Sequence, residues 1–306
     1  MTRLLITGVS GLLGINLALV AVEEGCDVVG WSNRRSLKGV PFEQQNVSLE
    51  ELSSLPGALQ SAKADAVIHC AAIANLDAAQ QQPELARLVN AQAPGVLACE
   101  ARKFGIPFVH ISTDSVFDGS EGGYREDDLP NPQNTYAQSK LAGEQAVRQA
   151  YPGALVARVV FYGWSISGTR SLAEFFFNNL SQGKSVNGFT DSIFSPLYAR
   201  DLAALLLEAL SKNLSGTYHF FSRESLSKYE FGVALARRFG LDESLITPVQ
   251  TSQGNLLTTR SLNLSANTDK LKNALAHDLP GIKEGMDGLF EDYQKGLRKR
   301  LADFLA

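Results

Sequence analysis

A short apolar run, Arg3–Thr7 (RLLIT), leads at once into Gly8, Gly11 and Gly14 and then into an apolar segment of helical length, Leu12–Glu23. No other feature of the chain constrains the fold as strongly. A strand followed by a glycine turn and a buried helix places glycines at the strand end, the turn and the helix start. There, backbone N–H groups can approach a pyrophosphate at a helix N-terminus. The same run, Leu4 to Val22 behind Arg3, mimics a signal peptide or membrane anchor in hydropathy. Thr7, Gly8, Ser10, Gly11, Gly14 and Asn16 interrupt it, which favours the strand–turn–helix reading.

The rest of the first half repeats the alternation. Asp27–Trp31, Ala66–Cys70 (AVIHC), Phe108–Ser112 (FVHIS) and Leu155–Phe161 (LVARVVF) read as strands, with helical patterns between them. Continuous apolar strands separated by helices mean a parallel sheet covered on both faces. Right-handed crossovers then give a doubly wound Rossmann sheet. In the second half, Leu172–Leu180, Leu202–Leu210 and Lys228–Phe239 read as helices, with Gly240 as a C-cap. Gly216–Phe221 reads as a strand, and Gly285–Ala306 as a closing helix. Asp118–Gln133 is polar and rich in Gly and Pro, hence a surface loop. The expected α/β organisation is a dinucleotide-binding domain over residues 1–163, with returning segments near 190–222. A smaller α/β substrate domain would occupy mainly 164–306.

Composition narrows the class. The chain has 306 residues, of which 44% are hydrophobic and 20% charged. That excludes disorder, collagen and coiled coil. A net charge of −4 argues against a nucleic-acid binder. The three cysteines, Cys26, Cys70 and Cys99, have neither disulfide-framework nor metal-ligand spacing. A reducing cytoplasm fits, with no membrane partner and no metal. His69 and His110 fall in central strands and read as satisfied core histidines.

Two clusters carry chemistry. After the second strand, where an acidic residue would bind the ribose 2′-hydroxyl of NAD, stand Ser32, Asn33, Arg34 and Arg35. Two guanidiniums offer forked donors to a 2′-phosphate. NADP(H) is therefore preferred, with NAD(H) as the alternative; the plainer reading is a pair of solvated loop cations. Downstream, Tyr136 and Lys140 are four residues apart and share a helical face. A nearby ammonium favours phenolate and so lowers a tyrosine pKa. Such a tyrosine can protonate a carbonyl oxygen as hydride arrives. The Phe108–Ser112 strand runs into Thr113, and Thr113 or Ser112 could hold that carbonyl.

With these residues in place the chain resembles the extended short-chain dehydrogenase/reductases, specifically the dTDP-4-dehydrorhamnose reductase family. The resemblance rests on TGVSGLLG (Thr7–Gly14), HCAAIANLD (His69–Asp77), VNAQAP (Val89–Pro94) and HISTDSVFDG (His110–Gly119). YREDDLPNPQNTYAQSKLAGE (Tyr124–Glu144), RVVFYG (Arg158–Gly163) and TTRSLNLS (Thr258–Ser265) extend it. It implies Tyr136 as general acid, Lys140 as its ribose-binding partner and Thr113 as the carbonyl holder. For the cofactor it implies Gly8, Ser10, Gly11, Leu12, Leu13, Gly14, Asn33, Arg34, Arg35, Asn46, Cys70, Ala71, Ala72 and Asn90. On the substrate side it implies Ser112, Asp114, Ser115, Val116, Phe161 and Arg260.

The chain departs from that family at Ser115, where an aromatic residue is usual, and at Ala137, where glycine is usual. Phe161 replaces a frequent tryptophan, and Ser261 replaces the proline of an Arg-Pro pair. The resemblance implies NADPH-dependent reduction of the C4 ketone of a nucleotide-linked 4-keto-6-deoxy sugar, with a homodimer left open. Two alternatives stand beside it. One is an NADP-binding regulatory subunit like the methionine adenosyltransferase β subunit. The other is a nucleotide-sugar epimerase with tightly held NAD.

Overall fold

A computed structural model describes residues 2–33, 35–253 and 261–305. The chain opens with β1 (Arg3–Thr7), α1 (Leu12–Glu23), β2 (Asp27–Ser32) and β3 (Glu43–Asn46). Next come α2 (Leu55–Ala62), β4 (Ala66–His69), α3 (Leu76–Gln81) and α4 (Pro83–Arg87). A π-helical turn, Leu88–Gln92, joins α4 to α5 (Ala93–Phe104). Then follow β5 (Phe108–Thr113), α6 (Thr135–Ala150) and β6 (Leu155–Val159).

The second half begins with β7 (Phe161–Tyr162), α7 (Leu172–Leu180), β8 (Val186–Phe189), β9 (Ile193–Phe194) and β10 (Leu197–Tyr198). It continues through α8 (Ala199–Ser211), β11 (Gly216–Phe220), β12 (Leu226–Ser227), α9 (Lys228–Phe239) and β13 (Ile246–Val249). The last helices are α10 (Asp269–Leu275), α11 (Ile282–Gln294) and α12 (Leu297–Asp303).

Seven strands form one sheet in the order β11-β6-β5-β4-β1-β2-β3, and every pair in it is parallel. The order reverses between β1 and β4, which is the topological switch point of a doubly wound sheet. Alternate residues of β1 feed two separate cores. Leu4 and Ile6 pack with α1 and α8 residues such as Leu17 and Leu202. Leu5 packs with Leu59 of α2 and Leu97 of α5 on the other face. Burial on both faces explains why the strands read as unbroken apolar runs.

A second region gathers around Trp164, Phe176, Phe177, Phe231 and Leu289. Ile15, Leu19 and Leu37 from the first half pack into this core too, so it is continuous with α1. Two-stranded pairs β10–β7, β12–β9 and β13–β8 frame it. Helix α9 is capped at both ends by its own sequence. Ser227 and Glu230 form a reciprocal capping box, and Gly240 takes the left-handed C-cap conformation at φ 64°.

Several expected boundaries move. The second strand extends one residue, to Ser32, because it pairs with Asn46 of β3. Cys70 and Phe221 lie just beyond their strands. Leu155–Phe161 is two strands rather than one. β6 pairs with β5 and β11, whereas β7 leaves the main sheet to pair with β10. The expected closing helix is also two. Gly296, at φ 82°, breaks α11 from α12, a conformation L-residues avoid.

The glycine turn is sterically exacting. The Gly11 N–H donates to the Gly8 carbonyl at 2.8 Å. A Cβ on Gly14 would lie 2.2 Å from the Gly8 oxygen, so Gly14 lets α1 start directly against the turn. Gly14→Ala should therefore cost about 1–3 kcal/mol through overpacking. A lower urea midpoint with an unchanged m-value would record it.

Candidate active site

The long cleft lies across the switch point, above the C-terminal ends of β1, β2 and β4. It has a volume of ≈ 650 Å³ and is lined by Gly8, Ser10, Gly11, Ser32, Asn33, Arg35, Cys70, Ala71 and Ala72, among others. Gly8 has φ 68°, and a Cβ there would sit 2.6 Å from the Ala71 Cα. The backbone of the β1 turn thus rests on the backbone that leaves β4. Thr7 braces the same junction: its hydroxyl meets the His69 Nδ1 at 2.8 Å and accepts from the Ala71 N–H at 3.2 Å. Helix α1 has no side-chain cap and no acidic residue in its first turn. Its first N–H groups and its dipole face the cleft undiminished.

Asn33 and Arg35 are exposed at the end of β2. Trp31, Val47, Leu49 and Glu50 complete that end of the cleft. Asn46 does not line it. Its amide instead joins the Ser32 and Ser36 hydroxyls at 3.0 and 3.1 Å, which fixes the shape of the β2–β3 edge. Leu12 and Leu13 supply the opening turn of α1 rather than cleft wall, and Leu13 is buried in the core. Arg34 and Arg260 lie outside the described residues.

The hydroxyl cluster sits at the end of β5. Helix α6 is started by Asn134, whose Oδ1 accepts from the Ala137 N–H at 2.9 Å. That start places Tyr136 beside Thr113. Burial pushes the Tyr136 phenol up to about 12, against the lowering effect of the neighbouring Thr113 hydroxyl. The Thr113 hydroxyl also donates to Asp114 at 3.0 Å. Asp114 is itself buried, which raises its carboxyl to about 6 despite hydrogen bonds from Thr113 and Ser115.

Lys140 differs from its expected place. Its ammonium donates to the Ile111 carbonyl at 2.6 Å and does not figure in the tyrosine's shift. Burial lowers Lys140 to about 8, with Glu144 and Cys70 opposing. The expectation that Lys140 lowers Tyr136 is thus not what this geometry gives; removal from water governs both groups.

Beneath the cluster is a buried ion pair. Arg158 Nε and Nη2 donate to the two Glu144 oxygens at 3.0 and 2.9 Å, and both side chains are almost wholly buried. The Ser112 hydroxyl donates to the same Glu144 at 2.6 Å, so Ser112 points into this network and away from the cavity. Glu144 follows Tyr136 and Lys140 at four-residue steps on α6, a register that sequence inspection could have caught. Arg158→Met would leave the buried Glu144 without its guanidinium partner, at a cost of about 3–5 kcal/mol. The double variant Glu144→Gln/Arg158→Met should lose less, and chemical denaturation compares the two.

Asn90 acts as a tie. It lies in the π-turn, accepts from the Ile73 N–H at 2.8 Å and donates to Ser139 at 2.9 Å. Ser139 in turn donates to the Tyr136 carbonyl at 2.7 Å. Gly143 permits the close contact between α6 and that turn, since a Cβ there would lie 2.2 Å from the Asn90 oxygen. His69 and His110 stack with ring centroids 5.7 Å apart, and burial depresses both. Contrary to the expectation of satisfied histidines, neither His110 nitrogen has a partner among the described residues.

A smaller cavity of ≈ 250 Å³ adjoins the cluster. Asp114, Ser115 and Asn134 form one wall, and Ser192, Phe194, Lys228 and Ser261 contribute to the other. Ser115 and Ser261, both departures from the family pattern, meet in it. Val116 is fully buried, and Phe161 packs against the sheet core; neither lines this cavity. Lys228 carries no sequence signal, because the fold alone brings α9 opposite β5. Arg200 pairs with Glu23 and Asp292. Among the described residues no group of His, Cys, Asp and Glu could hold a metal ion.

A Rossmann sheet with a glycine-turn cleft and a Thr–Tyr pair at a central strand end defines a nucleotide-binding α/β protein of the short-chain dehydrogenase/reductase type. Residues 1–295 match the RmlD substrate binding domain, and the chain belongs to that family. It is 32% identical to the probable low-salt glycan biosynthesis reductase Agl14 of Haloferax volcanii, over 94% of this chain and 98% of that one. It is 35% identical to methionine adenosyltransferase 2 subunit beta of Xenopus tropicalis, over 93% of this chain and 87% of that one. Its fold superposes on the dTDP-4-dehydrorhamnose reductase of Bacillus anthracis in complex with NADP. That match has a TM-score of 0.85 and 25% identity and covers 95% of this chain and 99% of the other.

Proposed function

We propose that the protein is an NAD(P)-dependent oxidoreductase that uses NADPH to reduce the C4 ketone of a nucleotide-linked 4-keto-6-deoxy sugar. The observation that carries this reading is Tyr136 beside Thr113 at the end of β5, where Asp114, Ser115 and Asn134 open onto the smaller cavity. The cleft fits a dinucleotide in size, in its uncapped helix start and in the Gly8–Ala71 backbone approach. Gly8, Ser10 and Gly11 would hold its phosphates, and Asn33 and Arg35 its adenosine end. Arg35 favours the 2′-phosphorylated form, with NADH as the alternative donor. The reduced nicotinamide, when bound, supplies the hydride.

The chain's own residues supply orientation and the proton. Thr113, once its hydroxyl turns from Asp114, would donate to the carbonyl oxygen and fix the ketone beside Tyr136. A phenol held at about 12 is protonated at neutral pH, so Tyr136 enters the reaction as an acid. It gives its proton to the oxygen as negative charge develops there. Lys140, charged below about 8, would hold the ribose of the bound cofactor rather than act on the phenol. Asp114, Ser115 and Asn134 face the sugar. Residues 1–163 would then hold most of the cofactor and one wall of the sugar site, and the later part would supply the opposite wall through Ser192, Phe194 and Lys228.

Turnover is tested by loss of nicotinamide absorbance with NADPH and a panel of such keto sugars. Tyr136→Phe should lower kcat by about 100-fold or more, the loss of one positioned acid; full activity in that variant would overturn the mechanism. The pH dependence follows from Lys140. Its charge is complete below its folded-state value and lost above it, so kcat/KM should fall as pH rises through about 8. The groups around that ammonium are His69, His110, Cys70 and Glu144. Burial keeps both histidines neutral and lifts the Cys70 thiol to about 12, which leaves Lys140 as the group that titrates there.

The likeness to the methionine adenosyltransferase subunit favours a second reading, a dinucleotide-binding regulatory subunit. Stoichiometric capture of a partner enzyme, together with NADPH binding but no ketone turnover, would select it. No helix among the described residues is long and apolar enough to cross a membrane.

A further inference from the structure

The segment between β7 and α7 does something the sequence does not announce. Among the described residues lining the long cleft, all lie between Thr7 and Val89 except one, Arg170. Arg170 comes from the opposite half of the chain and is exposed. Its guanidinium has neither ion pair nor hydrogen bond among the described residues; only its backbone N–H is engaged.

That segment is fixed over the start of α1. Asn16 Nδ2 donates to the Trp164 carbonyl at 3.0 Å and to the Leu12 carbonyl at 2.8 Å. Gly163 lies beside Leu12, so a Cβ there would be 3.7 Å from Leu12 Cδ1. The buried carboxylate of Glu174 then gathers the loop. It accepts from the Ser165 N–H at 2.6 Å, the Arg170 N–H at 2.6 Å and the Ser171 N–H at 3.1 Å. Ser171 donates its hydroxyl to the Gly163 carbonyl at 2.7 Å. The backbone on both sides of Arg170 is therefore held in place, while its side chain is left unengaged in the cleft.

We propose that Arg170 is a diphosphate-binding residue that closes on the bound dinucleotide from the side opposite the glycine turn. This rests on the dinucleotide reading of the cleft. The diphosphate, and not the 2′-phosphate, is its target for a geometric reason. The anchors at Asn16 and Leu12 put the loop over the first turn of α1, where N–H groups point at a diphosphate. The 2′-phosphate end belongs to Asn33 and Arg35, after β2. A guanidinium there supplies a forked pair of charge-assisted donors to two phosphate oxygens. The loop would also link cofactor binding to the aromatic core behind it.

The test is a set of dissociation constants for the full chain and for Arg170→Ala, Arg170→Lys and Arg35→Ala. NADPH and NADH are followed by nicotinamide fluorescence, and ADP-ribose and AMP by displacement. Arg170→Ala should weaken NADPH, NADH and ADP-ribose each about tenfold, as expected for a lost charged hydrogen bond. AMP, which has no diphosphate, should be unaffected, and Arg170→Lys should recover part of the loss. Arg35→Ala should weaken NADPH and spare NADH. Because Arg170 is exposed, its variants should keep the wild-type melting temperature. Unchanged NADPH affinity in Arg170→Ala would overturn the proposal, as would a loss confined to NADPH. A wild-type chain that binds no dinucleotide would remove the cleft reading itself, and this proposal with it. A wild type that binds, beside an alanine variant that matches it, removes only the role of Arg170.

Discussion

The backbone contact between Gly8 and Ala71 governs the geometry of everything above the sheet. Two neighbouring parallel strands end at the switch point, and their exits must diverge to opposite faces. Here they diverge while touching, because Gly8 has no Cβ and adopts a positive φ. Thr7 and His69 lock that contact from beneath through a buried hydrogen bond. Any side chain at position 8 would push the two exits apart. The cleft would widen, and the start of α1 would tilt away from it. One missing methyl therefore sets the distance between the glycine turn and the residues after β4.

A second layer of constraint operates through α6. That helix carries Tyr136, Lys140 and Glu144 down one face, and each meets a different neighbour: a hydroxyl, a backbone carbonyl and a guanidinium. Gly143 and the π-turn bring the helix close enough for all three to be made. A buried charge pair is poor value as a source of stability. Its service here is positional, since Glu144 also takes the Ser112 hydroxyl and so fixes the strand end that presents Thr113. The hydroxyl pair is thereby oriented from below by charges that never meet the cavity.

Local signals made the first half legible. The glycine spacing, the apolar strands and the Tyr136–Lys140 step are all properties of a few adjacent residues, and the structure assembles them around one switch point. What stayed hidden depends on distant contacts. Nothing near Arg170 or Lys228 marks either as a cleft residue; each arrives there because a far segment folds back. The split of Leu155–Phe161 was hidden for the same reason, since the partner of β7 is Leu197–Tyr198, well downstream. Ser112 and Thr113 illustrate a subtler limit. They are neighbours with the same chemistry on opposite faces of a strand, and only the buried Glu144 shows which one turns into the ion-pair network.

The place of β11 has a consequence for synthesis. This strand, Gly216–Phe220, adds to the open side of β6 and completes the sheet. As the polypeptide leaves the ribosome, six strands are available before it, and β6 exposes a row of unpaired backbone groups in a strand buried on both faces in the finished protein. Such an edge invites pairing with other chains. The nascent protein stays vulnerable to aggregation until about sixty further residues have emerged, so chaperone dependence should peak in that interval. A fragment ending near residue 163 would keep that sticky border permanently.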